Sequence, residues 1–295
     1  TMAIAELLRI AALVFTAVTF VVLGDTAGKL LTARGADPLF VAWSRFALAA
    51  LSLLPSSGLS RRELAGLADK RVLFRAALIA GGISCILTAL KTEPIANVFG
   101  AFFVGPVVSY ILAIVFLRER PSFSRSALMA LGFSGVMLVV KPGFGASPGM
   151  AFALAAGTFY GAFLVMTRRI AGEFRPRFLL ISQLLIGSAI LAPAGLNAQL
   201  PEAGLELTGL IAISAFGSAA GNYMLVVASR KAEASLIAPL VYTQLISAAV
   251  LGVAVFDDWP DLISLAGLSL IALSGLGTLA VQQRTAIAVR PAPHA

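Results

Sequence analysis

The sequence predicts an all-α polytopic membrane protein of ten transmembrane helices, arranged as two inverted five-helix repeats. Three observations carry that expectation: a shortage of charge, the spacing of the charge-free runs, and an internal repeat with an odd number of helices. Of 295 residues only 12% are charged and 59% are hydrophobic, with a mean hydropathy of +0.95. Soluble domains carry about 25% charged residues, and a soluble exterior needs more polar groups than this chain holds. The composition is equally the reverse of a disordered chain.

Charge-free runs of 15 or more residues fall at 10–24, 46–60, 76–90, 94–117, 126–140, 142–167, 178–201, 207–229, 234–256 and 262–283. A spanning helix needs roughly 20 apolar residues. The last five runs meet that directly, and the short early ones draw in flanking residues. Extending helix one to Gly28 takes Asp25 into the membrane; extending helix two back to Leu39 takes in Arg45. No run alternates like a barrel strand, so the backbone satisfies itself helically. Ten such helices leave no room for a second soluble domain, and any chemistry lies inside the bundle.

Loop cations set the orientation. Seventeen of the 22 Lys and Arg fall in the tails and loops of one side, including the group Arg61, Arg62, Lys70, Arg71 and Arg75. Lys29, Arg34, Lys91 and Lys141 fall opposite, and Arg45 alone is left within a helix. Both termini are therefore expected in the cytoplasm, with the chain in the inner (plasma) membrane. No cleavable signal peptide is expected, because the first apolar run lacks a distinct basic leader. The net charge of +8 reads as topology. A nucleic-acid partner would require one basic face with interleaved aromatics, and none is expected.

A displacement of about 139 residues brings the chain onto itself. It places Lys29 on Arg168, Gly82 on Gly221, Lys91 on Arg230, Glu119 on Asp258 and Pro121 on Pro260. With a shift of one or two, Gly35, Pro38 and Arg45 meet Gly172, Pro176 and Gln183. The repeats are 1–145 and 146–295. Five helices is an odd number, so the second copy threads the membrane upside down. Basic loops follow helices two and four in the first copy and helices one and three in the second, as inversion demands. Inverted repeats supply two near-equivalent states and a site near the midplane between them, which points to a transporter.

Helix four closes on Phe116-Leu117-Arg118-Glu119-Arg120-Pro121, and Lys29 and Pro38 precede Arg45. The second copy carries Ala238-Pro239-Leu240-Val241-Tyr242 and then Phe256-Asp257-Asp258-Trp259-Pro260. With ten helices in two five-helix copies, these resemble the drug/metabolite transporter superfamily, EamA-type, over essentially the whole chain. Within it the chain is similar to the YddG-like aromatic amino-acid exporters. The second copy departs in having Asp where the family has Glu, which keeps the charge. The resemblance implies export of metabolites, amino acids among them.

Asp25 and Arg45 lie at similar depth and can pair; they read either as a proton or carboxylate site or as a structural pair. Phe99, Phe102 and Phe103 share one face of helix four, and Phe152, Phe159 and Phe163 one face of helix six, with Thr158 and Tyr160 beside them. Asn222 and Tyr223 on helix eight, near Phe216, and Tyr242 and Gln244 on helix nine extend the set, with Ser84, Thr88 and Asn97 adding polar groups. Apolar walls with a few polar groups suit a small amphipathic ligand; packing and lipid contact are the alternative for each ring. Pro106 and Pro239 kink the equivalent helices four and nine and are expected hinges. Gly24/Gly28, Gly157/Gly161 and Gly217/Gly221 are spaced for close helix contact. Gly132, Gly135, Gly267 and Gly275 place helices five and ten at the periphery, outside a cavity lined by helices one, three, four, six, eight and nine.

An enzyme is not expected. Gly132-Phe133-Ser134-Gly135 has the look of an intramembrane serine protease, but its serine needs a base and His294 in the tail is the lone histidine. Cys85 and His294 cannot make a zinc site, no phosphate loop is present, and no metal or cofactor is expected. The partners implied are the lipid bilayer and a small-molecule substrate, first an amino acid, aromatic or otherwise neutral, moved outward by alternating access. A drug cation or nucleotide sugar is the alternative cargo. An intramembrane enzyme or a lipid-handling protein is the alternative outside transport.

Overall fold

The computed structural model describes residues 4–92, 95–141, 147–198, 204–257 and 259–288. Thirteen helices account for them: α1 Ile4–Ala33, α2 Pro38–Leu53, α3 Arg61–Gly66, α4 Lys70–Thr92, α5 Ile95–Phe102, α6 Val104–Leu117, α7 Phe123–Val140, α8 Pro148–Ile170, α9 Pro176–Leu196, α10 Leu205–Lys231, α11 Ala234–Val241, α12 Gln244–Phe256 and α13 Leu262–Ala288. Among the described residues there is no strand. Eight stretches are long and apolar enough to cross a membrane, α5–α6 and α11–α12 each counting as one. The 16-residue α2 and the 23-residue α4 complete ten crossings.

Local sequence explains the boundaries. Asp37 caps α2 by accepting the Leu39 N–H at 2.7 Å, with Pro38 at the first helical position, where its missing N–H costs nothing. Ser147 and Pro148 do the same for α8. The short α3, unforeseen as an element, has a complete capping box between Ser60 and Glu63. Crossings four and nine end alike: Arg118 and Asp257, 139 residues apart, take left-handed φ values of 55° and 54°.

Packing follows the repeat. Helix α1 runs along α10 and α4 along α8, and displacement by 139 residues turns one pair into the other. Helix α2 lies on α9 and α7 on α13, each helix against its own counterpart. Small residues permit these approaches. A Cβ added at Gly135 would stand 2.6 Å from the Gly267 carbonyl oxygen, and one at Gly221 2.5 Å from that of Ala17. Leu51, Phe74, Phe116, Leu205 and Leu276 stand exposed on the exterior, the apolar surface that a lipid-facing bundle requires and a soluble one avoids.

Ion pairs gather at the bundle ends. At the end where α4 and α9 begin, Arg175 pairs with Glu63 at 2.6 Å and Arg71 bridges Asp69 (3.0 Å) and Glu173 (2.8 Å). The hydrogen bonds from Arg175 hold the Glu63 carboxyl down at about 2, and Arg71 holds Asp69 below the ordinary carboxylate range. At the other end Arg34 pairs with Glu206 and Lys141 with Asp261, which Lys141 holds at about 2.

Candidate functional site

Asp25 and Arg45 do meet. The Arg45 guanidinium donates to Asp25 Oδ1 (2.7 Å), to the Gly24 carbonyl (3.0 Å) and to Ser214 Oγ on α10 (2.8 Å). Gly28 makes room for it, because a Cβ there would stand 2.6 Å from Arg45 Nη2. That corrects half of the expected Gly24/Gly28 packing pair: Gly24 packs against α10, where an added Cβ would stand 2.9 Å from the Ser214 carbonyl oxygen, whereas Gly28 accommodates a side chain of α2. The Asp25 side chain is 39% exposed and that of Arg45 17%, so the pair is only partly enclosed by protein.

The aromatic candidates form one file. Tyr242 meets Phe103 at 6.3 Å between ring centroids, Phe103 meets Phe102 at 5.7 Å, Phe102 meets Tyr160 at 5.3 Å and Tyr160 meets Phe163 at 6.4 Å. Phe99 joins it through Phe103 at 6.4 Å. The file has two surroundings. Phe159, Tyr160, Phe163 and Tyr223 belong to the large core between α1, α2, α8, α9 and α10. Phe99, Phe103 and Tyr242 turn toward α7 and α13, among Met129, Val136 and Ile271. Phe159 also lies against Gly81 and Gly82 of α4. Phe152 and Phe216 stand exposed and take no part in the file.

The polar candidates are largely self-satisfied. Ser84, Thr88, Thr158 and Asn222 each donate to the carbonyl four residues earlier on their own helix. Gln244 is buried at the start of α12; the Asn97 side chain lies outside the described residues. The prolines sit beside breaks rather than at kinks. Crossing four is interrupted at Phe103, with Pro106 in the first turn of α6, and crossing nine at Tyr242–Thr243, three residues after Pro239. In the Gly132–Gly135 motif, Ser134 donates to Ala130 O while Gly132 packs on Tyr242 and Gly135 on Gly267. The motif is a helix-packing surface.

Two features escaped the sequence reading. Arg75, expected among the loop cations, is instead a wholly buried residue of α4. It donates to Thr167 Oγ1 (2.7 Å), the Leu179 carbonyl (2.9 Å) and Gln183 Oε1 (3.0 Å), with its charge 4.6 Å above the Phe163 ring. Its position one turn into a helix beside Arg71 made it look like part of a solvated cluster. The second is Glu119, whose carboxylate accepts the N–H groups of Ala234 and Ser235, both at 2.9 Å. The acidic residue closing crossing four thus caps the start of crossing nine.

Ten crossings with paired counterpart helices, two of them broken at residues that touch, define a small-molecule transporter of the inverted-repeat class. The model of the EamA-like transporter family matches residues 8–141 and again 147–280. The chain belongs to that family, within the drug/metabolite transporter superfamily. Its relatives include an S-adenosylmethionine uptake transporter of Rickettsia bellii, 23% identical over 68% of each chain. An uncharacterized transporter of Helicobacter pylori is 27% identical over 70% of this chain and 72% of its own. A riboflavin transporter of Rhizobium johnstonii is 25% identical over 57% and 56%. A solved crystal structure superposes with a TM-score of 0.78 over 94% of this chain and 98% of its own at 18% identity, which shows a shared fold.

Proposed function

We propose that the chain is a secondary transporter that exports small amphipathic metabolites, amino acids first among them, by alternating access between two inverted units, 1–145 and 146–295. One observation carries this reading: a partly exposed Asp25–Arg45 pair lies within the crossings of a bundle that also holds the aromatic file through Phe102, Tyr160 and Phe163. A carboxylate and a guanidinium side by side match the ammonium and carboxylate of a zwitterion, and aromatic walls match its apolar side chain. Ser84, Thr88, Thr158, Asn222 and Gln244 supply the polar lining in this reading. The relatives named for S-adenosylmethionine and riboflavin support an organic solute of this size. Moving Arg75 out of the loops leaves sixteen cations against four, which still supports cytoplasmic termini in an inner membrane.

The test is flux in liposomes holding the purified protein, with labelled neutral and aromatic amino acids, S-adenosylmethionine and riboflavin, each with and without a pH gradient. Saturable amino-acid flux without chemical change is expected. Flux confined to S-adenosylmethionine or riboflavin would remove the amino-acid assignment; no saturable flux of any solute would remove the wider one.

A further inference from the structure

The repeat relates the places where the two membrane arginines act. A displacement of 139 residues carries Gly28 onto Thr167 and Arg75 onto Ser214, and one of 138 carries Arg45 onto Gln183. At one junction Arg45 of α2 bonds to Ser214 of α10 and to Asp25 and Gly24 of α1. At the other, Arg75 of α4 bonds to Gln183 and Leu179 of α9 and to Thr167 of α8. The triad α1, α2, α10 is the counterpart of α8, α9, α4. The same three-helix junction is therefore built twice, with the guanidinium supplied from opposite members. Where one copy has the arginine, the other has its acceptor: Arg45 and Ser214 become Gln183 and Arg75.

The junctions lie in opposite halves of the bundle. Helix α2 runs to the end where α4 begins; Arg45 is its eighth residue of sixteen, about two turns in from the opposite end, and Arg75 is the sixth residue of α4. Both join one repeat to the other, so the repeats cannot part at either end without breaking these bonds. We propose that they are paired clasps, the Arg45 junction closing one mouth and the Arg75 junction the other, released in alternation during transport. This inference rests on the alternating-access reading above. The partners of Arg75 are all neutral, so its release exchanges three bonds to neutral oxygens for full hydration of a guanidinium. A buried carboxylate partner would make that release far harder. Such a balance suits a contact that must open and close.

The test uses the full chain in liposomes with Cys85→Ala as background and one reporter cysteine at a buried position at each end: Val41→Cys near Arg45, or Val72→Cys near Arg75. Labelling by a membrane-impermeant maleimide is compared in Arg75→Gln and Arg45→Gln. Arg75→Gln is expected to raise labelling at 72 several-fold and lower it at 41, and Arg45→Gln to do the reverse. A rise at both reporters in both variants, as general loosening would give, or no change in either, would overturn the proposal. If Arg75→Gln does not fold, Arg75→Ser with Gln183→Arg rebuilds the guanidinium from the counterpart position. That double variant is expected to fold and label as the parent does, and its failure to fold would equally overturn the proposal. The readout needs no substrate. Normal saturable flux with unresponsive reporters leaves the transport reading standing and removes the clasps.

Discussion

The ring of Phe103 lies 6.3 Å from that of Tyr242, at an interplanar angle of 56°, and the two residues are 139 positions apart in the chain. Each stands where its crossing is interrupted, so the breaks of crossings four and nine touch across the axis that relates the repeats. Tyr242 differs from its counterpart by one hydroxyl, which is buried without a hydrogen-bond partner among the described residues.

A buried polar group left unmet costs about 1–3 kcal/mol. Tyr242→Phe, which makes the contact symmetrical, should therefore leave thermal stability unchanged or raise it by up to that amount. Phe103→Ala removes a fully buried ring and should cost about 3–5 kcal/mol. Denaturation in detergent monitored by tryptophan fluorescence separates them. Loss of stability in Tyr242→Phe would mean that the hydroxyl has a partner in solution.

The prolines should act on rates. Pro106 and Pro239 lack the N–H groups that would bond to the carbonyls of Phe102 and Ser235. Alanine at either position allows one more helical bond beside a break and should stiffen it. Transport by Pro106→Ala and Pro239→Ala should fall several-fold in maximal rate with little change in half-saturation. Unaltered rates in both would remove the hinge role.

Glu119 secures crossing nine from crossing four. Its carboxylate meets two N–H groups at the start of α11, where the helix dipole adds to the attraction. Glu119→Ala should cost about 1–2 kcal/mol. Glu119→Gln, which keeps an acceptor but no charge, should cost less. Equal losses in both, measured by thermal unfolding, would assign the whole effect to charge.

The order of crossings and the repeat were legible because each leaves a linear trace, in charge-free runs and in a fixed displacement. The Asp25–Arg45 pair was legible for a similar reason: two ionisable groups at matched depth have few other partners. Arg75 was not legible, because burial is a property of neighbouring helices and Thr167, Leu179 and Gln183 lie about a hundred residues away. The helix breaks were misplaced by a few residues because proline marks where a helix is weakened. Where it parts depends on what packs there, here two tilted rings meeting across the repeats. Gly28 shows the same limit: the small-residue spacing was visible, but the occupant of the space it leaves came from another helix.

Acid should act first at the bundle end held by Glu63 and Arg175. The folded Glu63 carboxyl titrates at about 2 against an ordinary 4.5, lowered chiefly by the Arg175 hydrogen bonds. A depressed folded value stabilises above the ordinary value, and that stability fades as pH falls from 4.5 toward 2. Melting temperature against pH should drop through that window in the parent and drop less in Glu63→Gln. Parallel curves would show that the pair contributes nothing to pH dependence.

Asp25 and Arg45 should prove unequal. Removing the Asp25 charge leaves Arg45 with Ser214 and Gly24, and the amide oxygen of an asparagine can still accept from the guanidinium. Removing the Arg45 guanidinium empties the space beside Gly28 and removes the hydrogen bonds that tie α2 to α1 and α10. Asp25→Asn should therefore melt closer to the parent than Arg45→Gln does. If Asp25 carries a coupled proton, Asp25→Asn should also lose accumulation driven by a pH gradient while keeping exchange of substrate across the liposome membrane. Gradient-driven accumulation equal to the parent's would make Asp25 a structural partner of Arg45 and nothing more.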